Sequence, residues 1–379
     1  MDDPKSSSRK PPRQSVERKP KPKPLTSSAA LDRLDAEFIG LVRRRWELLT
    51  ARAHQEGPAK FAAASAPIGP TTQHQLDAIA NDKLRRLSAH ILRECDHGCH
   101  AVVSPLRIGY LGPAHSYSHL AALEKFGSLV EFCPLTTIAA VFADVHSRNL
   151  DFGVVPLENS TDGRVIDTLE MLARVPVRIS AEVPLQIHHC LLGKGGRESI
   201  RKICSKPQAL SQCRGWLTEH FPAVEWVELP STAAAAEAAQ NNSSLAAIAS
   251  LQAATQYGLR ILAENIEDNK QNVTRFAVIG EQSAARTGHD KTTVLFELPH
   301  EPGALADSLL IFKRHRTNLT WIESFPQPAA PQHYFFLVEL VGHERDLRIR
   351  KCVAALQKRA PRVTILGSYP VGSKTPGTA

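Results

Sequence analysis

Early in the chain, apolar residues recur at three- and four-residue steps. Leu31, Leu34, Phe38, Leu41, Val42, Leu48 and Leu49 align, with Arg43–Arg45 and Glu47 between them, which predicts one amphipathic helix over 31–56. Gly57-Pro58 and the loose stretch AAASAPIGPTT break that pattern. A second helix is predicted from near Gln73, along Leu76, Ile79, Leu84, Leu87 and Ile91. Two such helices cannot enclose a core alone, so a third helix or a partner chain is expected, as an all-helical bundle or dimer.

From Leu106 the period changes. LRIGYLG, FGVVPLE, VPLQIHHCLLG, LAAIAS and TRFAVIG read as strands, alternating with helical stretches such as SHLAALEKFG and VIDTLEMLA. That alternation predicts an α/β domain with open sheets, which gather ligands where strands end and helices begin. Over 291–370 the order is strand, helix, strand, strand, helix, strand: TTVLFEL, EPGALADSLLIFKRHR, NLTWIESFP, HYFFLVELVG, ERDLRIRKCVAALQKR, VTILGSYP. This βαββαβ order is the ferredoxin-like arrangement, a frequent scaffold for sensing small ligands.

Composition narrows the class. At 42% hydrophobic and 22% charged the chain is ordinary globular material over 379 residues, long enough for two or three domains. No run of apolar residues is long enough to span a membrane. The N-terminus has no apolar secretory core, and Asp2 and Asp3 argue against a mitochondrial presequence. Of the formal +8, residues 1–24 hold eight Lys/Arg against Asp2, Asp3 and Glu17, or +5, leaving +3 for the rest. Residues 1–26 therefore read as a disordered, proline-rich basic tail, with no aromatic residue to stack on a nucleic acid. Seven scattered cysteines suggest reduced thiols and a cytoplasmic protein. The cluster Cys95-Asp-His97-Gly-Cys99-His100 lacks a second ligand pair, so no metal site is assigned.

Candidate chemistry sits at turns. GPAHSYS (112–118), ENSTDG (158–163) and the turn at Ser250 each put hydroxyls and small residues at a helix start, where unpaired N–H groups favour carboxylate or phosphate. With Lys206-Pro-Gln208 they suggest a small-anion pocket. No P-loop or GxGxxG is present to hold a nucleotide. His188 and His189 fall within an expected strand, where alternation sends their rings to opposite faces.

Several of these segments together resemble prephenate dehydratase: GPxxSYSHLAA at 112–122, VVPLENSxxG at 154–163, KPQALSQC at 206–213, NVTRFAVIG at 272–280, GAL at 303–305 and NLTWIES at 318–324. The layout resembles chorismate mutase fused to prephenate dehydratase, with mutase-like helices at 27–104, dehydratase at 106–283 and an ACT regulatory domain at 291–370. The resemblance implies a two-lobed dehydratase domain similar to periplasmic binding proteins. It also implies conversion of prephenate to phenylpyruvate with loss of carbon dioxide and water, and no cofactor. It further implies L-phenylalanine as effector, a homodimer or homotetramer, and no nucleic-acid or membrane partner. An arogenate dehydratase, a bifunctional enzyme and a non-catalytic amino-acid sensor are the alternatives.

Carried onto this sequence, the family pattern makes Thr274 the catalytic hydrogen-bond donor. Substrate-binding positions are Ser116, Tyr117, Ser118, Glu158, Asn159, Ser160, Gly163, Gln208, Gln212, Arg275 and Phe276. His115 stands where the family usually has glycine, and Lys206 where it usually has histidine. The phenylalanine site falls on Gly303, Ala304, Leu305, Asn318, Leu319, Thr320, Glu323 and Ser324, with Phe325 replacing an arginine. Arg45 and Lys60 match mutase positions. Ser28 stands for an expected arginine, and the expected Arg-Glu pair is missing, so mutase activity is expected to be weak or absent.

Overall fold

The computed structural model describes residues 28–56, 70–103, 106–327 and 330–372, so the basic tail and Lys60 lie outside the described residues. The chain forms two compact units, one up to Glu47 and one from Leu48. Helix α1 (Ser28–Glu56) follows the apolar spacing. In the first unit it leaves Leu31, Leu34, Phe38, Ile39 and Leu41 exposed.

The second predicted helix is two: α2 (Pro70–Asp77) and α3 (Asp82–Val103). The break has a local cause. Asn81 accepts the backbone N–H of Leu84 at 3.1 Å through its side chain, a helix cap in the middle of an otherwise continuous apolar line.

Lobe 1 contains β1 (Arg107–Leu111), β2 (Glu131–Leu135), β3 (Phe152–Asn159), β4 (Gly163–Arg164), β5 (Arg178–Gln186) and β11 (Val273–Gly280). Their order is β2-β1-β3-β11-β5, with β4 beside β3. The first three run parallel, whereas β11 is antiparallel to both neighbours. Helices α4 (Tyr117–Phe126), α5 (Ile138–His146) and α6 (Ile166–Arg174) cover the faces.

Lobe 2 contains β6 (Cys190–Gly193), β7 (Lys202–Ser205), β8 (Glu225–Glu228), β9 (Leu245–Ala249) and β10 (Arg260–Ala263), in the order β10-β6-β9-β7-β8. Its helices are α7 (Pro207–Gln212), α8 (Arg214–His220), α9 (Thr232–Gln240) and α10 (Leu251–Tyr257). Alanines 235, 236 and 239 of α9 pack on Ala247 and Ala249, so small side chains seat the helix closely on the sheet.

The stretch 183–193, expected as one strand, is divided between β5 of lobe 1 and β6 of lobe 2. Ile187, His188 and His189 form the crossover, so the two histidines are not on a strand. Alternation marks buried extended backbone but does not say when the chain changes sheet.

The C-terminal unit comprises β12 (Asp290–Pro299), α11 (Ala304–Arg314), β13 (Leu319–Gln327), β14 (Ala330–Val341), α12 (Leu347–Gln357) and β15 (Val363–Pro370). Its antiparallel order β13-β14-β12-β15 is ferredoxin-like. One sheet face packs with the helices through Val294, Phe296, Phe312, Ile349 and Leu356. The other shares a core with lobe 1: Leu295, Phe325, Phe335 and Tyr369 join Leu157, Leu169 and Ile179. At Gly367 the chain runs so close to Ile179 that a Cβ would collide with its backbone. Phe325 is thus buried in the core shared by lobe 1 and the C-terminal sheet. No described helix is long and apolar enough to cross a membrane.

Candidate active site

Strands β3 and β11 pair with Thr274 opposite Asn159, so two of the expected residues meet through backbone register. The Asn159 side chain closes its own turn, accepting the backbone N–H groups of Thr161 at 2.8 Å and Asp162 at 3.0 Å. Those two donors fix Oδ1 as the acceptor and turn Nδ2 the other way. Nδ2 then donates to Thr274 Oγ1 at 2.8 Å and to Asn272 Oδ1 at 2.9 Å. Asn272 Nδ2 donates to Gln212 Oε1 at 3.0 Å, and Gln212 Nε2 to Asp162 Oδ2 at 2.8 Å. Gln212 belongs to lobe 2 and its partners to lobe 1, so this chain of amides ties the lobes together beside Thr274.

A cleft cavity of about 650 Å³ lies next to this network, walled by Asp162, Lys206, Gln208, Ser211 and Glu228. Gln208 is therefore at the cavity, and the network reaches it at Asp162. Tyr117 lines a second, smaller cavity and donates its hydroxyl to His188 O at 2.7 Å. Ser116 caps α4, accepting from His119 N, and donates to Leu111 O at 3.1 Å. Ser250 likewise caps α10. Two of the three turns read as anion sites thus use one serine each, Ser116 and Ser250, as a helix cap. Ser118 is buried. Ser160 is spent on β11, accepting Val273 N at 2.9 Å. Gly163 turns with φ +82°, a left-handed conformation that glycine adopts without strain. Phe276 is a core residue, packed with Tyr110 and Phe126.

Arg275 faces the C-terminal unit. It pairs with Glu158 at 2.9 Å, Glu182 at 3.0 Å and Glu339 at 2.7 Å, and lies over the Trp321 ring. Burial alone would lower the guanidinium pKa, but the Glu339 and Glu182 carboxylates outweigh it and hold the charge. Lys291 bridges Glu182 and Glu339 from β12. Arg164, next to the Asn159 turn, pairs with Glu323 at 2.6 Å.

His115 has φ +63°, so it adopts the left-handed conformation expected at a glycine position. Its backbone N–H donates to His119 Nδ1 at 3.0 Å, and the His119 ring stacks on Tyr110. Burial, helped by His115, pushes His119 from 6.5 down to about 4. His119 is then neutral in the folded chain and takes up a proton on unfolding between those values. Stability from this group is complete above pH 6.5 and falls as pH drops toward 4. His119→Gln keeps an acceptor for His115 but does not titrate. Urea midpoints at pH 7 and 5 are expected to differ less in that variant than in the parent, and an unchanged difference would remove His119 as the cause.

The sequence reading passed over Asn272, Asp162 and Glu267. Asn272 and Asp162 stood inside quoted motifs, but only the fold shows that they close on Gln212. Glu267, buried between the crossovers, accepts from His189 N and bonds the His188 ring, and no local pattern announces it.

Residues 108–284 match the family model for prephenate dehydratase. The bifunctional chorismate mutase/prephenate dehydratase of Aquifex aeolicus is 37% identical, over 90% of this chain and 96% of that protein. A prephenate dehydratase from Arthrobacter aurescens, solved with L-Phe, is similar with TM-score 0.66 and 36% identity, over 72% of this chain and 92% of that one. A structure described as GqqA, a novel type of quorum quenching acylase, is similar with TM-score 0.65 and 30% identity, over 71% and 98%. The family model and the curated relatives, on a two-lobed α/β cleft joined to a ferredoxin-like sheet, place the chain among the lyases of amino-acid biosynthesis. The chain belongs to the prephenate dehydratase family.

Proposed function

We propose that prephenate binds between the lobes and that Thr274 donates its hydroxyl proton in a hydrogen bond to the departing ring hydroxyl as carbon dioxide leaves. One observation carries this reading. Asn159 Nδ2 already donates to Thr274 Oγ1, so the oxygen is occupied as an acceptor and the Thr274 O–H is left to point at a ligand. A threonine is a weak acid, but aromatisation drives the reaction, so a placed donor is sufficient. The test is phenylpyruvate formation by the purified protein from prephenate, with arogenate run in parallel. Conversion of neither would refute the reading.

Residues 106–283 carry this chemistry and 291–370 regulate it, in cytoplasmic surroundings that suit free thiols; the six described cysteines are unpaired. L-phenylalanine is the effector. Gly303-Ala304-Leu305 opens α11, whereas Asn318-Leu319-Thr320 lies past its far end, about 16 Å away along the axis. A site uniting both must draw them from two subunits. Glu323 and Ser324 lie further along β13, where Glu323 meets Arg164 and so reaches the Asn159 turn. Asn318→Ala is expected to raise the phenylalanine concentration for half-inhibition roughly tenfold. An unchanged titration would remove this site.

The N-terminal helices serve assembly, with little or no mutase activity. The exposed apolar line of α1 supports pairing with a second chain. Leu34→Glu with Leu41→Glu is expected to lower the oligomeric state in light scattering while dehydratase turnover stays near normal. Robust conversion of chorismate to prephenate, or an unchanged mass, would contradict this.

A further inference from the structure

His189, in the crossover between the lobes, is buried with only 2% exposed, and the reaction as described gives it no task. Its Nε2 lies 2.9 Å from Gln212 Oε1 and its Nδ1 3.0 Å from the Tyr117 hydroxyl. The direction of the first bond follows from the backbone. Thr161 N and Asp162 N fix the Asn159 amide, which fixes Asn272, which leaves Gln212 Oε1 as an acceptor. An oxygen cannot donate, so His189 must carry its proton on Nε2. Burial lowers the His189 pKa, opposed by the bond to Gln212 and the nearby Glu267 charge, and the ring is neutral with that single N–H. Nδ1 then faces the Tyr117 hydroxyl as an acceptor, and the one Tyr117 proton is shared between it at 3.0 Å and His188 O at 2.7 Å.

We propose that His189 is a positioning residue for the dehydratase reaction. Its Nε2–H and Asn272 together lock the Gln212 amide in one orientation. That orientation keeps the Asn272–Asn159 relay aligned and the Thr274 proton free for the substrate. This rests on the assignment of Thr274 as donor, and the test separates the two.

Steady-state kinetics with prephenate are measured for His189→Leu, His189→Gln and His189→Asn, alone and with Thr274→Val. Loss of alignment in His189→Leu is expected to lower kcat by about 10- to 100-fold, with KM within threefold. His189→Gln places an amide N–H near the Nε2 position and is expected to recover to within about fivefold of the parent, by the same positioning argument. His189→Asn reaches the Tyr117 side but not Gln212, and is expected to resemble the leucine variant. If His189→Leu fails to fold, the Gln and Asn variants carry the comparison. In the Thr274→Val background the histidine substitutions are expected to add little, because their effect runs through Thr274. Full kcat in His189→Leu, equal loss in Gln and Asn, or independent effects in the double variants would each overturn the proposal. Full activity of Thr274→Val alone would instead overturn the donor assignment.

Discussion

Thr274→Val is expected to lower kcat by roughly 100- to 1,000-fold, the usual cost of one lost transition-state hydrogen bond. Valine keeps the branched shape on β11 and deletes only the hydroxyl. Asn159 Nδ2 loses one acceptor but keeps Asn272, so the turn is expected to hold. Because the bond matters most as the ring hydroxyl departs, KM is expected to move little. Thr274→Ser, which restores the hydroxyl without the methyl, is expected to recover most of the rate. A valine variant with near-normal kcat would sink the assignment, whatever its stability.

Arg275→Met is expected to cost about 3–5 kcal/mol in stability, typical when one partner of a buried ion pair is removed. The arginine is 17% exposed and its carboxylate partners Glu182 and Glu339 are 4% and 1% exposed. Without it, Lys291 would be the one cation among the described residues bridging both buried carboxylates, beside the neutral donors Tyr369 and Gly372. Water cannot easily relieve them, and their repulsion would push lobe 1 away from the C-terminal sheet. Urea unfolding of the full chain reads this directly. Replacing the more exposed partner, as in Glu158→Gln, is expected to cost far less. Equal, small losses in both would mean that the cluster is already hydrated.

Much of this fold was legible from periodicity. The ferredoxin-like unit, with each strand and helix in order, follows from alternation and three- to four-residue spacing within a short stretch. The pairing of Thr274 with Asn159 does not follow in that way: the sequence puts Asn159 in a turn after FGVVPLE, and only the β3–β11 register brings it opposite Thr274. Periodicity misread the places where backbone chemistry overrides the apolar pattern. Asn81 cut one predicted helix in two, and the crossover at Ile187–His189 cut one predicted strand. Resemblance located Gln212, Arg275 and Phe276 but not their tasks. Arg275 binds the C-terminal sheet, Phe276 fills the core and Gln212 is held on both sides by protein groups. These are three-dimensional facts, set by what lies opposite each side chain.

Strands β5 and β11 are hydrogen-bonded neighbours, with Val273 opposite Gln186, yet all of lobe 2 lies between them in the chain. Topologically, lobe 2 is a domain inserted into the tip of a hairpin. Closing that hairpin from an unfolded chain joins segments further apart than any pairing within lobe 2, where β7–β8 and β7–β9 close the shortest loops. Lobe 2 is therefore expected to fold first and bring the hairpin's ends together. Thr274 and Asn159 would then come into register late. Pulse-labelled hydrogen exchange during refolding would show β6, β7 and β9 amides protected before those of β11, and simultaneous protection would mean that both lobes condense as one cooperative unit.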